Sequence, residues 1–261
     1  MFRKESVLLS VNINRFAYFY STIPICMMKF SAPDCQNCAT RKYSLLGCCK
    51  GDELEDVSAT KSCFTFKKGQ VIFHEGTRPS GLHCISSGKV KVSKMGSDGK
   101  EQIIRLAKPG DVVGYRALMA DTNYSASAVA LDDAVVCFIP KSQFLELIAT
   151  NNDFSSGLMK LFSKALGEAE ERMVQMAYKP VRERLAEALL LLQKTYQQQE
   201  ETDTFTIAIS REDLASIVGT AKETTIRLLS EFKDEKIITT KGSSITILDP
   251  DKLFKICHLY D

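Results

Sequence analysis

The chain has 261 residues, of which 44% are hydrophobic and 25% are charged, and its formal net charge is +2. This length and balance are typical of one large or two modest globular domains and argue against a disordered chain. A membrane-spanning helix needs a run of about 18 apolar residues, and no such run occurs, so a membrane is not an expected partner.

Nine cysteines are spread along the chain, an odd number that does not suit the short, even-numbered framework of a secreted disulfide scaffold. We therefore expect mostly free thiols and a cytoplasmic location. The cysteines are Cys26, Cys35, Cys38, Cys48, Cys49, Cys63, Cys84, Cys137 and Cys257.

Residues 1–34 are predicted to be an extension that precedes the folded domains. Arg3 and Lys4 come before a mildly apolar stretch that polar residues interrupt, and no clear cleavage site follows. A signal peptide is therefore not expected. Either the extension is disordered, or translation begins at Met27 or Met28.

Residues 35–140 alternate short apolar runs with glycine turns, after a short predicted helix. Residues 89–92 alternate polar and apolar side chains, as a half-buried strand does. Asp98-Gly99 is a strong hairpin signal, and residues 102–106 form the predicted return strand. Many short strands at regular spacing predict an antiparallel β-roll of the jelly-roll type.

The apolar spacing becomes helical at residues 141–178, which are predicted to form a linker and a long helix. A stripe of apolar side chains spaced three and four apart is typical of a helix that pairs with another helix. The predicted pairing residues are Leu158, Leu161, Ala165, Ala169, Met173 and Met176. We expect this helix to pair with the same helix of a second subunit; the alternative is that it packs on its own β-roll.

Residues 179–261 are predicted to form a winged helix-turn-helix. Ser210 is placed to cap a helix over 211–218, and Gly219 stands at the turn before a second helix, from about Ala221 to Glu235. Residues 237–248 read as a two-stranded wing.

The first turns of the second helix carry the candidate DNA contacts. Arg pairs with guanine and Glu accepts from the cytosine amino group, so Glu223 and Arg227, four apart on one face, are candidates for base contacts. The further candidates are Lys222 and Thr225, with Ser210, Arg211 and Thr224 expected at phosphates. The alternative is an exposed ion pair without a role, on a winged helix that binds protein.

Charge alone does not favour DNA binding. From Lys179 onward there are 12 Lys and Arg against 14 Asp and Glu. Basic groups must therefore gather on one face if this part of the chain binds DNA.

The segment 209–238 closely resembles the helix-turn-helix of the CRP/FNR family of bacterial regulators. The matching residues are Ser210-Arg211-Glu212-Asp213-Leu214-Ala215, Val218-Gly219 and Lys222-Glu223-Thr224-Thr225-Ile226-Arg227-Leu228-Leu229. The family's β-roll glycine pattern is matched by Lys68-Gly69-Gln70, Glu75-Gly76, Ser87-Gly88, Pro109-Gly110-Asp111 and Gly114. The resemblance covers roughly residues 35–253.

The resemblance implies a homodimer that binds a pseudo-palindromic operator in double-stranded DNA, with RNA polymerase as a further partner. It implies that Glu223 and Arg227 meet bases and that Arg211 meets phosphate. The two recognition helices are then expected about 34 Å apart in successive major grooves.

The cyclic-nucleotide branch of that family uses a Glu directly after the glycine and an Arg about ten residues later. Here Tyr115 and Arg116 follow Gly114, and Tyr124 or Ser125 stands at the Arg position. Both ligand anchors are absent, so cyclic AMP is not the expected effector. These five residues are the candidate effector pocket.

The oxygen-sensing branch binds an iron–sulfur cluster through N-terminal cysteines and one distant cysteine. Cys35 and Cys38 resemble its Cys-x-x-Cys, Cys137 stands at the distant position, and Cys48 or Cys49 is left as the remaining ligand. The alternatives are buried structural cysteines or a thiol redox switch. The effector itself stays unidentified.

The predicted fold class is α+β, with an N-terminal β-roll, a long dimerisation helix and a C-terminal winged helix-turn-helix. No catalytic constellation and no zinc spacing of histidines appears, so an enzyme is not expected. Two other function classes compete: a cyclic-nucleotide-binding module that acts through protein partners, and a thiol oxidoreductase or redox sensor that uses Cys35 and Cys38.

Overall fold

The computed structural model describes residues 34–197 and 206–257, all of which lie in one compact unit, Pro33–Asp261. The predicted extension, residues 1–34, lies outside the described residues except for Asp34. The polar segment 198–205 and the C-terminal residues 258–261 also lie outside them.

The N-terminal half is a roll of two four-stranded antiparallel sheets, as the turn pattern predicted. Two 3-10 helices, Arg41–Tyr43 and Leu45–Cys48, precede helix α1, Asp52–Thr60. In chain order the strands are β1 Ser62–Phe66, β2 Val71–Phe73, β3 Gly81–Ser87, β4 Val90–Met95, β5 Glu101–Ala107, β6 Val112–Val113, β7 Ser127–Ala130 and β8 Ala134–Pro140, with helix α2, Tyr115–Ala120, between β6 and β7. One sheet has the order β1-β8-β3-β6 and the other β2-β7-β4-β5.

The two sheets enclose small and β-branched side chains because alternate residues of each strand point inward. Ile85, Val90, Ala128 and Val136 are buried in this core. Gly81 allows β3 to lie against β8, since a Cβ there would stand 2.2 Å from the Ile139 carbonyl oxygen.

Two helices follow the roll. Helix α3 is Lys141–Thr150 and helix α4 is Asn152–Tyr178. The Asn151 side chain separates them, since it accepts a hydrogen bond from the Phe154 N–H at 2.8 Å and so caps α4. The predicted change from strands to helices at residue 141 is confirmed.

The C-terminal part contains four helices and a small sheet. These are α5 Val181–Tyr196, β9 Thr206–Ala208, α6 Arg211–Val218, α7 Lys222–Asp234, β10 Ile238–Lys241, β11 Ser244–Ile247 and α8 Pro250–Cys257. The sheet order is β10-β11-β9, so the predicted two-stranded wing is extended by a third strand. Leu189, Leu228, Phe232 and Ile245 form the centre of its core.

Within the described ranges, no helix is both long enough and apolar enough to cross a membrane.

Candidate nucleic-acid interface

Helices α6 and α7 form the predicted helix-turn-helix. The Ser210 hydroxyl accepts a hydrogen bond from the Asp213 N–H at 2.9 Å and so caps α6. Gly219 adopts φ +70°, a conformation that favours glycine, and its N–H donates to the Ala215 carbonyl at 2.8 Å. The cap and the turn are therefore confirmed. The Ser210 hydroxyl also donates to the Asp213 carboxylate at 2.6 Å, so its work is to fix the helix start rather than to meet phosphate.

One face of α7 is buried and the opposite face is exposed. Thr225, Leu228, Leu229 and Phe232 recur at helical spacing and pack inward. The Thr225 side chain is fully buried and its hydroxyl donates to the Ala221 carbonyl at 3.2 Å. The prediction that Thr225 contacts DNA is therefore wrong.

The exposed face of α7 carries Glu223, Ile226 and Arg227, with Lys222 and the half-buried Thr224 at its first turn. Ile226 is 44% exposed, although its apolar character suggested the core. Its helical phase was the signal that sequence reasoning missed, because it falls outside the stripe set by the buried residues. This face therefore offers the edges of base pairs an acidic side chain (Glu223), an apolar one (Ile226) and a basic one (Arg227).

Arg227 pairs with Glu231, one turn further along α7, and not with Glu223 as the spacing suggested. Glu231 is also held at 3.1 Å by Arg182 from α5. Among the described residues Glu223 has no ion-pair partner, so its carboxylate is available. Lys222 pairs with Glu212 of α6 at 2.7 Å, which raises the pKa of Lys222.

Arg211 joins the start of α6 to the wing. Its Nη2 donates to the Gly242 carbonyl at 3.0 Å, in the turn between β10 and β11. Burial lowers the pKa of Arg211, and within the described chain its Nη1 has no hydrogen-bond acceptor. Its phosphate contact stays a prediction, while its visible role is to position the wing.

The β-roll holds α6 through a network of half-buried charges. Lys91 of β4 lies 2.7 Å from both Glu101 of β5 and Asp213 of α6, and its side chain is only 12% exposed. Burial alone would lower the pKa of Lys91, but the two carboxylates raise it. Ile103 of β5 is fully buried within the core of the C-terminal part. The helix-turn-helix is thus docked on the β4–β5 hairpin.

Helix α4 presents an exposed apolar stripe whose first half is shifted by one residue from the predicted one. Leu158 is buried and Leu161 is partly buried against the N-terminal core, so neither faces a partner. Met159, Leu166 and Met173 are exposed and recur every seven positions, with the exposed Ala169 between the last two. Phe162, like Leu161, packs against the N-terminal core, with its ring 5.1 Å from that of Tyr115, and Met176 is half-buried. Ala165 is half-buried beside this stripe. Spacing of this kind is the seam of a two-stranded coiled coil.

The five candidate effector residues have different surroundings. Gly114 caps α2 with φ +87°, whereas Arg116 and Ser125 lie on the surface. The buried Tyr115 hydroxyl accepts from Arg105 at 3.2 Å. Tyr124 stacks on Phe73 with ring centroids 4.0 Å apart, and burial raises its pKa to about 12. Aromatic side chains thus occupy this part of the roll.

Three of the candidate cluster ligands share a cavity, but the other two do not. Cys35, Cys38 and Cys137 line it together with Cys84 and Lys61, which the sequence did not single out.

The remaining two candidate ligands are engaged elsewhere. The Cys48 thiol donates to the Leu45 carbonyl, and burial raises the pKa of Cys49 to about 12. In the part of the chain that is described, no three or more His, Cys, Asp or Glu side chains are arranged to hold a metal ion. The predicted iron–sulfur ligand set therefore does not fit.

Family models match both halves of the chain. A cyclic nucleotide-binding domain matches residues 63–151, and a Crp-like helix-turn-helix domain matches residues 183–256. The solved structure of FixK2 from Bradyrhizobium japonicum shares the fold, with a TM-score of 0.67 at 24% identity over 75% of this chain and 96% of that chain.

Two curated relatives cover most of the chain. The electron transport regulator A of Shewanella oneidensis is 30% identical over 77% of this chain and 80% of the relative. The fumarate and nitrate reduction regulatory protein of Vibrio cholerae is 29% identical over 85% of this chain and 89% of the relative. With the helix-turn-helix in place, these matches favour a regulator over a nucleotide-binding module that acts through protein partners, and the chain belongs to the CRP/FNR family of DNA-binding transcriptional regulators.

Proposed function

We propose that this DNA-binding regulator acts as a homodimer on a pseudo-palindromic operator and reads bases with Glu223, Ile226 and Arg227. The observation that carries the proposal is the exposed face of α7, where these three side chains stand together at its first two turns. The first turns of a recognition helix are the part that enters the major groove.

Each side chain suits a different base edge. Arg227 is placed to donate to guanine, and Glu223 to accept from the cytosine amino group. Ile226 offers an apolar surface for the thymine methyl group. Lys222 at the start of α7 and Lys241 beside the exposed wing turn supply positive charge for the phosphates that flank these bases.

The heptad stripe of α4 supports the dimer. A second copy would cover Met159, Leu166 and Met173, whose exposure on a lone protomer is otherwise unfavourable. Two-fold symmetry would then set two recognition helices about 34 Å apart.

A regulator of this kind works in the cytoplasm, where it meets chromosomal DNA and RNA polymerase. The names of the relatives refer to electron transport and to fumarate and nitrate reduction, which supports respiratory genes as targets. The occupied aromatic region around Tyr124 supports an effector other than cyclic AMP.

Selection of operators from a random duplex library by the full-length protein tests this proposal. We expect a pseudo-palindrome whose half-sites are centred about one helical turn, roughly 10 base pairs, apart, with both major grooves protected from methylation. Recovery of unrelated sequences, or of single half-sites bound by one protomer, would contradict it.

The Arg211→Ala variant is expected to bind the selected operator and unrelated DNA more weakly by a similar amount, about 1 kcal/mol for one lost hydrogen bond. The reason is that Arg211 holds the wing turn through Gly242 and is assigned no role in reading bases. Fluorescence anisotropy on both duplexes measures the effect, with Lys255→Ala on α8 as the control. A loss confined to the operator would show that Arg211 reads sequence.

A further inference from the structure

Three cysteines form a row across the first sheet of the β-roll. Cys137 of β8 pairs in register with Cys63 of β1 on one side and with Cys84 of β3 on the other. Directly opposed residues of antiparallel strands point to the same face of the sheet. The three thiols therefore lie side by side on one surface.

The Cys63 and Cys137 side chains are direct cross-strand neighbours. Burial, together with the neighbouring Cys63 thiol, raises the pKa of Cys137. Opposed Cα atoms in antiparallel strands stand about 4.5–5.5 Å apart, within the range of about 4.4–6.8 Å that a disulfide spans. The register is therefore compatible with a disulfide between Cys63 and Cys137.

The Lys61 ammonium group lies close to this row of thiols and to Cys35. The Lys61 Nζ donates to the Cys35 sulfur at 2.9 Å and interacts electrostatically with Cys63 and Cys137. Burial alone would lower the pKa of Lys61, but the hydrogen bond and the neighbouring sulfurs raise it. A cation at this position would stabilise the negative charge that an attacking sulfur carries in the transition state.

Access differs along the row. Cys63 lies on the outer strand and is half-buried, whereas Cys84 and Cys137 are buried, and burial raises the pKa of Cys84 to about 12. Cys35 and Cys38 are engaged elsewhere, the first with Lys61 and the second with the Thr40 hydroxyl at 3.3 Å. Cys63 is therefore the thiol of the row that a small reagent reaches first, with Cys137 directly behind it.

We propose that Cys63 and Cys137 form an oxidation site that takes a hydroperoxide and closes to a disulfide between β1 and β8. The inference does not depend on how the protein reads DNA. It also accounts for convergent thiols that are not arranged to hold a metal ion within the described residues.

The reaction has two balanced steps. The Cys63 sulfur attacks the hydroperoxide, the O–O bond breaks, and Cys63 becomes a sulfenic acid while its proton leaves with the reduced alcohol, or with water when the oxidant is hydrogen peroxide. The Cys137 sulfur then attacks the Cys63 sulfur. The S–S bond forms, and the sulfenic oxygen leaves as water with the Cys137 proton.

Peptide mapping tests the site on the full-length protein. The reduced protein is treated with hydrogen peroxide, alkylated with N-ethylmaleimide and digested without reductant. We expect a linked peptide pair that contains Cys63 and Cys137, with two fewer alkylated thiols per protomer. A link between any other pair as the main product, or no link at all, would overturn the proposal.

Variants separate the two roles without relying on one mutant's folding. Cys137→Ser should lose the link and leave a sulfenic acid at Cys63 that dimedone traps, and Cys63→Ser should leave Cys137 unmodified. Cys257→Ser, in the distant helix α8, is the matched control and should keep the link.

Lys61→Met should slow formation of the link, and Lys61→Arg should restore the rate because it keeps the charge. Equal rates for both lysine variants and the unaltered protein would remove the role given to Lys61.

Discussion

Replacing Leu166 and Met173 together by glutamate is expected to give a folded monomer that binds its operator about 10²–10⁴-fold more weakly, because two half-sites no longer act together. Both side chains are more than half exposed on α4, at 61% and 71%, so the change leaves the protomer's own core intact. In a dimer, each would place a charge opposite its twin in an apolar seam.

Sedimentation velocity gives the mass, and anisotropy on the operator gives the affinity. The control is Lys160→Glu with Lys164→Glu, which adds at least as much negative charge to exposed positions of the same helix outside the stripe. A double Leu166/Met173 variant that stays dimeric would refute the assignment of the stripe.

Alanine at Glu223 or at Arg227 is expected to relax base preference at one operator position per half-site, at about 1–3 kcal/mol for each substitution. Both side chains point away from the core of the C-terminal part, so the losses should appear in discrimination rather than in folding. Affinities for a panel of duplexes, each with one altered base pair, measure the effect.

Lys233→Ala is the matched control, because Lys233 is exposed near the other end of α7. Since Arg227 is paired with Glu231, the Glu231→Gln variant should free the guanidinium and leave the preference in place. Full discrimination by both alanine variants would refute base contact by this face.

The fold follows closely from local signals in the sequence. Glycine turns and alternating strands defined the roll, and Ser210 with Gly219 bounded α6 at the residues where the structure begins and ends it. These features depend on neighbours along the chain, which is why periodicity and capping rules reach them. The pairing of β9 with the wing is harder to predict, because it joins residues that are far apart in the sequence.

The sequence predicts which helix carries the candidate DNA contacts, but not exactly which of its side chains point outward. Lys222, Glu223 and Arg227 are exposed as expected, but Thr225 is buried and Ile226 is exposed. Polarity alone would place Thr225 at the surface and Ile226 in the core. Which face of α7 packs inward is decided by Leu228, Leu229 and Phe232 against the domain core, a tertiary contact that overrides polarity at a single position.

The thiols and the effector region depend on register between strands. No sequence motif connects Cys84 with the other cysteines, yet the pairing of β3 with β8 sets it beside Cys137. Cys48 and Cys49 were candidates only because a cluster needs four thiolates. In the structure the Cys48 thiol donates to the Leu45 carbonyl and Cys49 is buried. Spacing along a chain does not reveal which side chains meet across a sheet.

The bridge from Lys91 to Asp213 has a mechanical consequence. The Asp213 carboxylate accepts hydrogen bonds from the Ser210 hydroxyl, at the start of α6, and from Lys91 of the roll. A shift of the β4–β5 hairpin would therefore act directly on the N-terminal cap of α6. Moving the helix-turn-helix away from the roll would separate the Asp213 carboxylate from Lys91 and uncover Ile103, while Glu101 would keep its pairing with Lys91. A movement of this hairpin would therefore act on the first turn of α6 directly, through Lys91, and not only along α4.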